Sequence, residues 1–248
     1  LVVTVIIVVS ATFIVQDVQQ LRGGRTAIHA AHLAQNGDAS MTLLELQRAI
    51  DLAPGVSAYP NMLFNLIRSY AQGDADLASR QALLELGREA LIKYSERDPF
   101  DIATQQLLAL ATLKLFEEGR EDLRQEVIGR YINLGQSVPN FYDFQSVVGH
   151  GFLIAGDNEL ALGAANYSIS LEQGKTYSWW VRGVALNNLG EHSESMTAFE
   201  RAIAIRPEDR HSALAHRDYG NLLESLGRLD EAAEHRIRSA EIAAQLNL

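Results

Sequence analysis

The chain has 248 residues, 47% hydrophobic and 21% charged, with a formal net charge of −10 and no cysteine. That balance is ordinary for a folded protein and argues against disorder over most of its length. Without cysteine, disulfides, thiolate zinc sites and cysteine nucleophiles are excluded; an acidic chain with no basic stretch is also a poor electrostatic match for nucleic acid.

The first element is apolar. Residues 1–15 read LVVTVIIVVSATFIV, and no charge appears before Asp17. As a helix this segment spans about 22 Å, short of the ~30 Å hydrocarbon core of a bilayer. The sequence begins on Leu rather than Met, and residues upstream would complete a span. A signal-peptide core fits less well, because no basic leader precedes it and no clear cleavage site follows. Val, Ile and Thr favour strand in water, whereas lipid or an apolar protein surface accommodates helix. Residues 1–22 are therefore expected to form an apolar N-terminal segment. It is either a membrane anchor or an assembly element buried by a neighbouring subunit. Val2, Val5, Ile6, Val9, Phe13 and Ile14 would make its contacts.

From residue 23 to 248 a periodic signal takes over: a helix-forming stretch, a Gly with a polar neighbour, then an Ala-rich amphipathic stretch. The recurring glycines are Gly37, Gly73, Gly119, Gly156, Gly190 and Gly227, spaced by 36, 46, 37, 34 and 37 residues. The first unit, QNGDASMTLLELQRAIDLAP, carries Gly37, Ala49 and Pro54. The second keeps Gly73 and Ala78, with its second helix lengthened through Tyr94 before a stop at Pro99. The third, around Gly119, is the most degenerate. The fourth aligns with the fifth without gaps, pairing Gly149 with Gly183 and Gly156 with Gly190. The fifth is YSWWVRGVALNNLGEHSESMTAFERAIAIRP, from Tyr177 to Pro207. In it Trp179 is expected in the core, Gly183 lets two helices approach, and Gly190 makes the turn. Phe199 and Ala202 face inward, and Pro207 stops the helix. The sixth has Tyr219, Gly220, Gly227 and Ala232.

This pattern resembles the tetratricopeptide repeat, departing from it at Arg182, where Leu is usual, and Ser195, where Ala is usual. The resemblance implies an all-α fold: a right-handed superhelical array of about six tetratricopeptide-like helix pairs preceded by the apolar N-terminal segment. The order of parts is also similar to the extracytoplasmic repeat tail of bacterial O-antigen ligase and polymerase family proteins. An apolar span leads into RAIDLAP, a Tyr-containing helix, then YSERDPFD before a Leu-rich helix. That resemblance implies an extracytoplasmic location at the cell surface. It carries over no catalytic residue, because glycan transfer in that family belongs to the membrane part.

The chemistry-bearing residues form no catalytic pattern. His29 and His32 share a helix face, but no carboxylate is in register to complete a metal site. His211, His216 and His235 fall near the C-terminal end, where they either cluster or, more simply, stand as surface or groove histidines. Gly73-Asp74-Ala75-Asp76 lacks a calcium-loop pattern and reads as an Asp helix cap. The run EEGRED near Gly119 reads as a solvated turn before a helix. No phosphate loop, HExxH, nucleophile elbow or dinucleotide fingerprint occurs. No enzyme, cofactor or metal is expected.

Phe141, Tyr142, Phe144, Tyr177, Trp179 and Trp180 gather in two adjacent units. Trp180 lies about 100° around the helix from Trp179 and is expected to face a concave groove. There it would stack on a glycan, grip a partner helix or simply pack between helices. Carrying its phase backward gives Ala27, Ala31, Ala34, Leu63, Ile67, Tyr70, Leu113 and Phe116 as groove residues of the early units. Asn187, Asn188, Arg217 and Asn221 join Trp180 in the later ones. An apolar groove of this kind suits an apolar helix, and residues 1–15 are a candidate ligand, within the chain or between copies. The expected function is a protein-interaction scaffold, self-associating or surface-anchored through its N-terminus. Two alternatives share the pattern: a subunit of an extracellular filament, and a detached O-antigen ligase-like tail. A pilin-like variant of the filament meets the objection that Val5 stands where many pilins carry Glu.

Overall fold

The computed structural model describes residues 2–35, 39–71 and 76–247, with side chains over 17–33, 41–71 and 76–247. Among the described residues the regular structure is twelve α-helices and one 3-10 turn, with no strand. The chain divides into two compact units, Leu1–Leu123 and Arg124–Leu248.

The first unit holds α1 (Val2–Gln35), α2 (Ala39–Leu52), α3 (Ala58–Ala71), α4 (Leu77–Ser95), α5 (Ile102–Glu117) and the 3-10 turn Glu121–Leu123. Helix α1 runs without a break past residue 22, so the apolar segment and the first repeat helix share one rod. The side chains of Val2, Val5, Ile6, Val9, Phe13, Ile14 and Ala34 lie outside the described residues, as do Gly37 and Gly73. Among the described residues no helix is long and apolar enough to cross a membrane. Helices α1 and α2 meet at Gly23, where a Cβ would stand 2.9 Å from the Ala53 Cβ. Asp76 caps α4 by accepting from the Ser79 N–H at 3.0 Å, as the sequence leads one to expect. Helix α4 has 19 residues against 14 in α2 and α3, the lengthening read from the sequence.

The second unit holds α6 (Arg124–Ser137), α7 (Tyr142–Ile154), α8 (Asn158–Leu171), α9 (Thr176–Asn188), α10 (His192–Ile205), α11 (Arg210–Ser225) and α12 (Leu229–Gln245). The two helices of the third expected pair, α5 and α6, therefore fall in different units. Helix α10 shows why these stretches pair. Ser195, Ala198, Phe199 and Ala202 recur at i, i+3, i+4 and i+7, and all four are buried. Phe199 lies over Gly183 of α9, where an added Cβ would come within 2.6 Å of its ring. The departure at Ser195 has a physical reason. Its hydroxyl is fully buried and donates to the Gly183 carbonyl at 2.7 Å, a second tie between α9 and α10.

Four helices end in one geometry. Gly119, Gly156, Gly190 and Gly227 all take positive φ, between 74° and 94°. At Gly190 its own N–H reaches the Asn187 carbonyl at 3.0 Å and the next N–H, of Glu191, reaches Leu186 at 2.9 Å. This satisfies the last carbonyls of α9 in a left-handed helix cap, a conformation open to Gly because it has no Cβ.

Candidate binding groove

Helices α7, α9 and α11 pack side by side in the second unit. Their shared face carries an aromatic row. Tyr177 stacks on Trp180 with centroids 5.7 Å apart and on His211 at 4.4 Å. His150 meets both rings edge-on, 5.8 Å from Tyr177 and 5.2 Å from Trp180. The Tyr177 hydroxyl lies 2.8 Å from His150 Nδ1. Burial holds that phenol protonated, its pKa well above the usual tyrosine range. Burial also lowers the His211 pKa below the ordinary histidine value.

Trp180 is only 5% exposed. Its indole N–H donates to Asp218 Oδ2 of α11 at 2.8 Å, satisfying a donor that burial would otherwise leave unpaired. Arg217 closes on the same carboxylate, Nε to Oδ1 at 2.8 Å and Nη2 to Oδ2 at 3.1 Å. That bond to Asp218 raises the arginine pKa further. Above this floor lies an open groove of about 310 Å³ whose polar rim is Asn187, Asn188, Asn221 and Arg217. The Asn187 amide makes no side-chain hydrogen bond among the described residues, whereas Asn188 donates to Asn158 at 2.9 Å. The groove thus offers unpaired amide capacity around a pair of opposite charges that answer one another.

Trp180, Asn187, Asn188, Arg217 and Asn221 are brought together here. The early-unit residues are not placed in a comparable groove. Leu63 and Ile67 are fully buried in the first unit's core, and Leu113 is 4% exposed. Phe64 and Ile67 fill the space over Gly87 of α4, and Leu63 lies in the same buried core, so Leu63 and Ile67 are packing residues rather than groove residues. Ala27 is buried as well, Ala31 is exposed, and Tyr70 and Phe116 are half-buried. The two tryptophans exchange their expected burial. Trp179 is only half-buried, its N–H bonded to the Gln173 carbonyl at 2.9 Å and Arg182 set 5.5 Å over its ring. Trp180 is the buried one because α7 and α11 flank α9 on its side. Its ring therefore has no free face for a sugar to stack on. Asp218, the residue that fixes Trp180, was missed by the sequence reading. The available signal was its place beside Arg217, given that a buried indole needs an acceptor.

Two further polar clusters lie in this unit. Ser146, Ser168 and Ser178, from α7, α8 and α9, place three buried hydroxyls within 2.7–2.9 Å of one another. His216 and His235, joining α11 to α12, face each other Nδ1 to Nδ1 at 2.8 Å. His211 stands apart from them on the aromatic row. Among the described residues no group of three or more His, Cys, Asp or Glu could hold a metal ion.

Residues 176–209, which span α9, its glycine turn and α10, match the family model for the tetratricopeptide repeat. The chain carries a tetratricopeptide repeat. No curated protein sequence matches it. Solved structures show the fold more widely. A tetratricopeptide repeat protein from Parabacteroides merdae superposes with a TM-score of 0.65 at 14% identity, over 86% of this chain and 77% of that one. A crystal structure of MamA superposes at 0.53 with 18% identity, over 71% of this chain and 98% of that one. A thermophilic tetratricopeptide protein of Thermus thermophilus gives 0.53 at 13% identity, over 81% and 98%. At these identities the likeness is one of fold: an all-α helical repeat like those of tetratricopeptide proteins.

Proposed function

We propose that this chain is a non-enzymatic protein-interaction scaffold, and that the groove on α7, α9 and α11 receives a segment of a protein partner. The observation that carries this reading is the construction of the groove. Its floor is rigid, with Trp180 held between an aromatic row and Asp218. Its rim presents side-chain amides, including the unpaired Asn187. An amide both donates and accepts, which matches the alternating N–H and C=O groups of a peptide. A preorganised floor also reduces the ordering cost of binding. The test is affinity purification with the intact chain and with Asn187→Ala/Arg217→Ala. A partner held by the first and lost by the second supports the groove; retention of the same partners by both contradicts it.

The N-terminal segment has a second role in this reading. Residues 1–15 anchor the scaffold at a membrane surface or join it to another copy, on the extracytoplasmic side that the O-antigen ligase-like order of parts implies. The unbroken course of α1 supports it, because the apolar segment is then rigidly continuous with the first repeat. Removing residues 1–16 should give a dispersed protein. If the shortened chain associates with vesicles or with itself as the intact chain does, this role is wrong.

A further inference from the structure

The second half of α1 carries two exposed arginines, Arg22 and Arg25, one turn apart. Neither has an ion-pair partner among the described residues. With Arg48 of α2 they line a groove of about 560 Å³. Its two carboxylates are already engaged. Glu45 holds Arg48 at 2.9 Å and faces His29 at 3.8 Å, while Asp51 takes Gln47 at 3.5 Å and Lys93 at 4.0 Å. Next to this groove on α1, Leu21 and Ile28 are 68% and 62% exposed and border a mostly apolar depression with Val56 and Tyr59, which Arg25 also lines and Asp17 and Gln20 edge. Unpaired guanidinium forks beside open apolar surface fit a ligand with a phosphate and a hydrocarbon part.

The position along the helix selects the source of that ligand. Arg22 and Arg25 stand seven and ten residues beyond Val15. That places them roughly 10 and 15 Å past the apolar segment along the axis. Helical side chains lean toward the N-terminus, so both guanidiniums reach back toward that segment. We infer that Arg22 and Arg25, with the Glu45-paired Arg48 at the edge of the same groove, form a site for the phosphate diester of an anionic lipid headgroup. The inference rests on the reading of residues 1–15 as a membrane anchor.

The experiment is vesicle flotation of the intact chain. It compares pure phosphatidylcholine vesicles with vesicles containing roughly one quarter phosphatidylglycerol. Three proteins are measured: the intact chain, Arg22→Ala/Arg25→Ala, and the charge-matched control Arg97→Ala/Arg201→Ala, whose arginines are exposed elsewhere. The intact chain and the control should partition to the anionic vesicles in excess of the neutral ones. The Arg22→Ala/Arg25→Ala variant should lose about thirty-fold of that excess while keeping its binding to neutral vesicles. An excess that is absent, or equally reduced in the control, overturns the headgroup site and leaves the anchor standing. An arginine-dependent excess without binding to neutral vesicles supports the headgroup site and sinks the anchor. Flotation with neither vesicle sinks both. Loss of the excess in about 10 mM inorganic phosphate at constant ionic strength supports direct contact between the arginines and the headgroup phosphate.

Discussion

Helices α3, α4 and α5 of the first unit meet mainly through large side chains, whereas α7 to α10 of the second make more of their close contacts through small ones. Leu63, Phe64, Ile67, Leu84, Leu91, Leu108 and Leu115 fill the core of α3, α4 and α5. In α7 to α10 the contacts run through Gly149, Ala161, Ala165, Gly183, Ser195 and Ala202, with Trp180, Val181 and Phe199 as the large inserts. Large flexible side chains can fill gaps of varying width, which suits a unit whose glycine spacing stretches to 46 residues. Small residues leave no such tolerance. They demand close approach and turns of fixed geometry, and the second unit has three of its turns in one conformation at Gly156, Gly190 and Gly227. The regular unit is also the one that carries the polar groove. A groove built from three helices needs their spacing to be constant.

The comparison is broken most severely at Phe199. Truncation to Ala should cost ~3–5 kcal/mol, measured by denaturant unfolding, with hydrogen-exchange protection lost first in α9 and α10. Gly183→Ala comes next. Its Cβ would meet the Phe199 ring at 2.6 Å, so roughly 1–3 kcal/mol should be lost to overpacking. Gly163→Ala on the exposed face of α8, with nothing within 4 Å, should instead be neutral or stabilising by up to about 1 kcal/mol. Equal effects at the two glycines would remove the close-approach argument. Gly190→Ala, at a φ of 84°, should cost about 1–2 kcal/mol through backbone strain alone.

A smaller effect sharpens the contrast through pH. Burial first, then His235 and Arg238, pulls His216 down to about 4, and burial also lowers His235 and His211. A depressed folded-state pKa means the unfolded chain binds more protons than the folded one between about pH 6.5 and 4. The second unit should therefore lose stability as pH falls through that window. The His216–His235 contact would open first, because the two facing Nδ1 atoms have room for one proton between them. Thermal unfolding of His216→Phe should show a shallower acid limb. An unchanged limb would mean that other groups govern it.

Which parts were legible in the sequence follows from what each residue type can do. The helix ends at Gly119, Gly156, Gly190 and Gly227 were readable because positive φ is chemistry particular to Gly. The pairing of α9 with α10 was readable from Gly183, Phe199, Ala202 and Pro207, which carry shape. The juxtaposition of Asn187 and Arg217 was readable because the spacing there stays between 34 and 37 residues. The same phasing failed at Leu63, Ile67 and Leu113, which lie before or within the 46-residue interval, since each residue of displacement turns a helix face by about 100°. Trp179 and Trp180 were exchanged because repeat phase alone does not say which neighbouring helices will cover α9. The hydroxyl cluster of Ser146, Ser168 and Ser178 joins residues up to 32 apart and leaves no periodic trace.

The central claim is that the α7–α9–α11 groove holds a protein segment, and photocrosslinking in the native cell tests it most directly. A photoreactive residue is placed at Asn187 in the groove, and at Asn166 on the exposed face of α8 as the control. The account predicts a discrete protein adduct from position 187 that disappears when Arg217→Ala/Asn221→Ala is added, and none of that mass from position 166. No adduct at 187, or the same adduct from both positions, would contradict it.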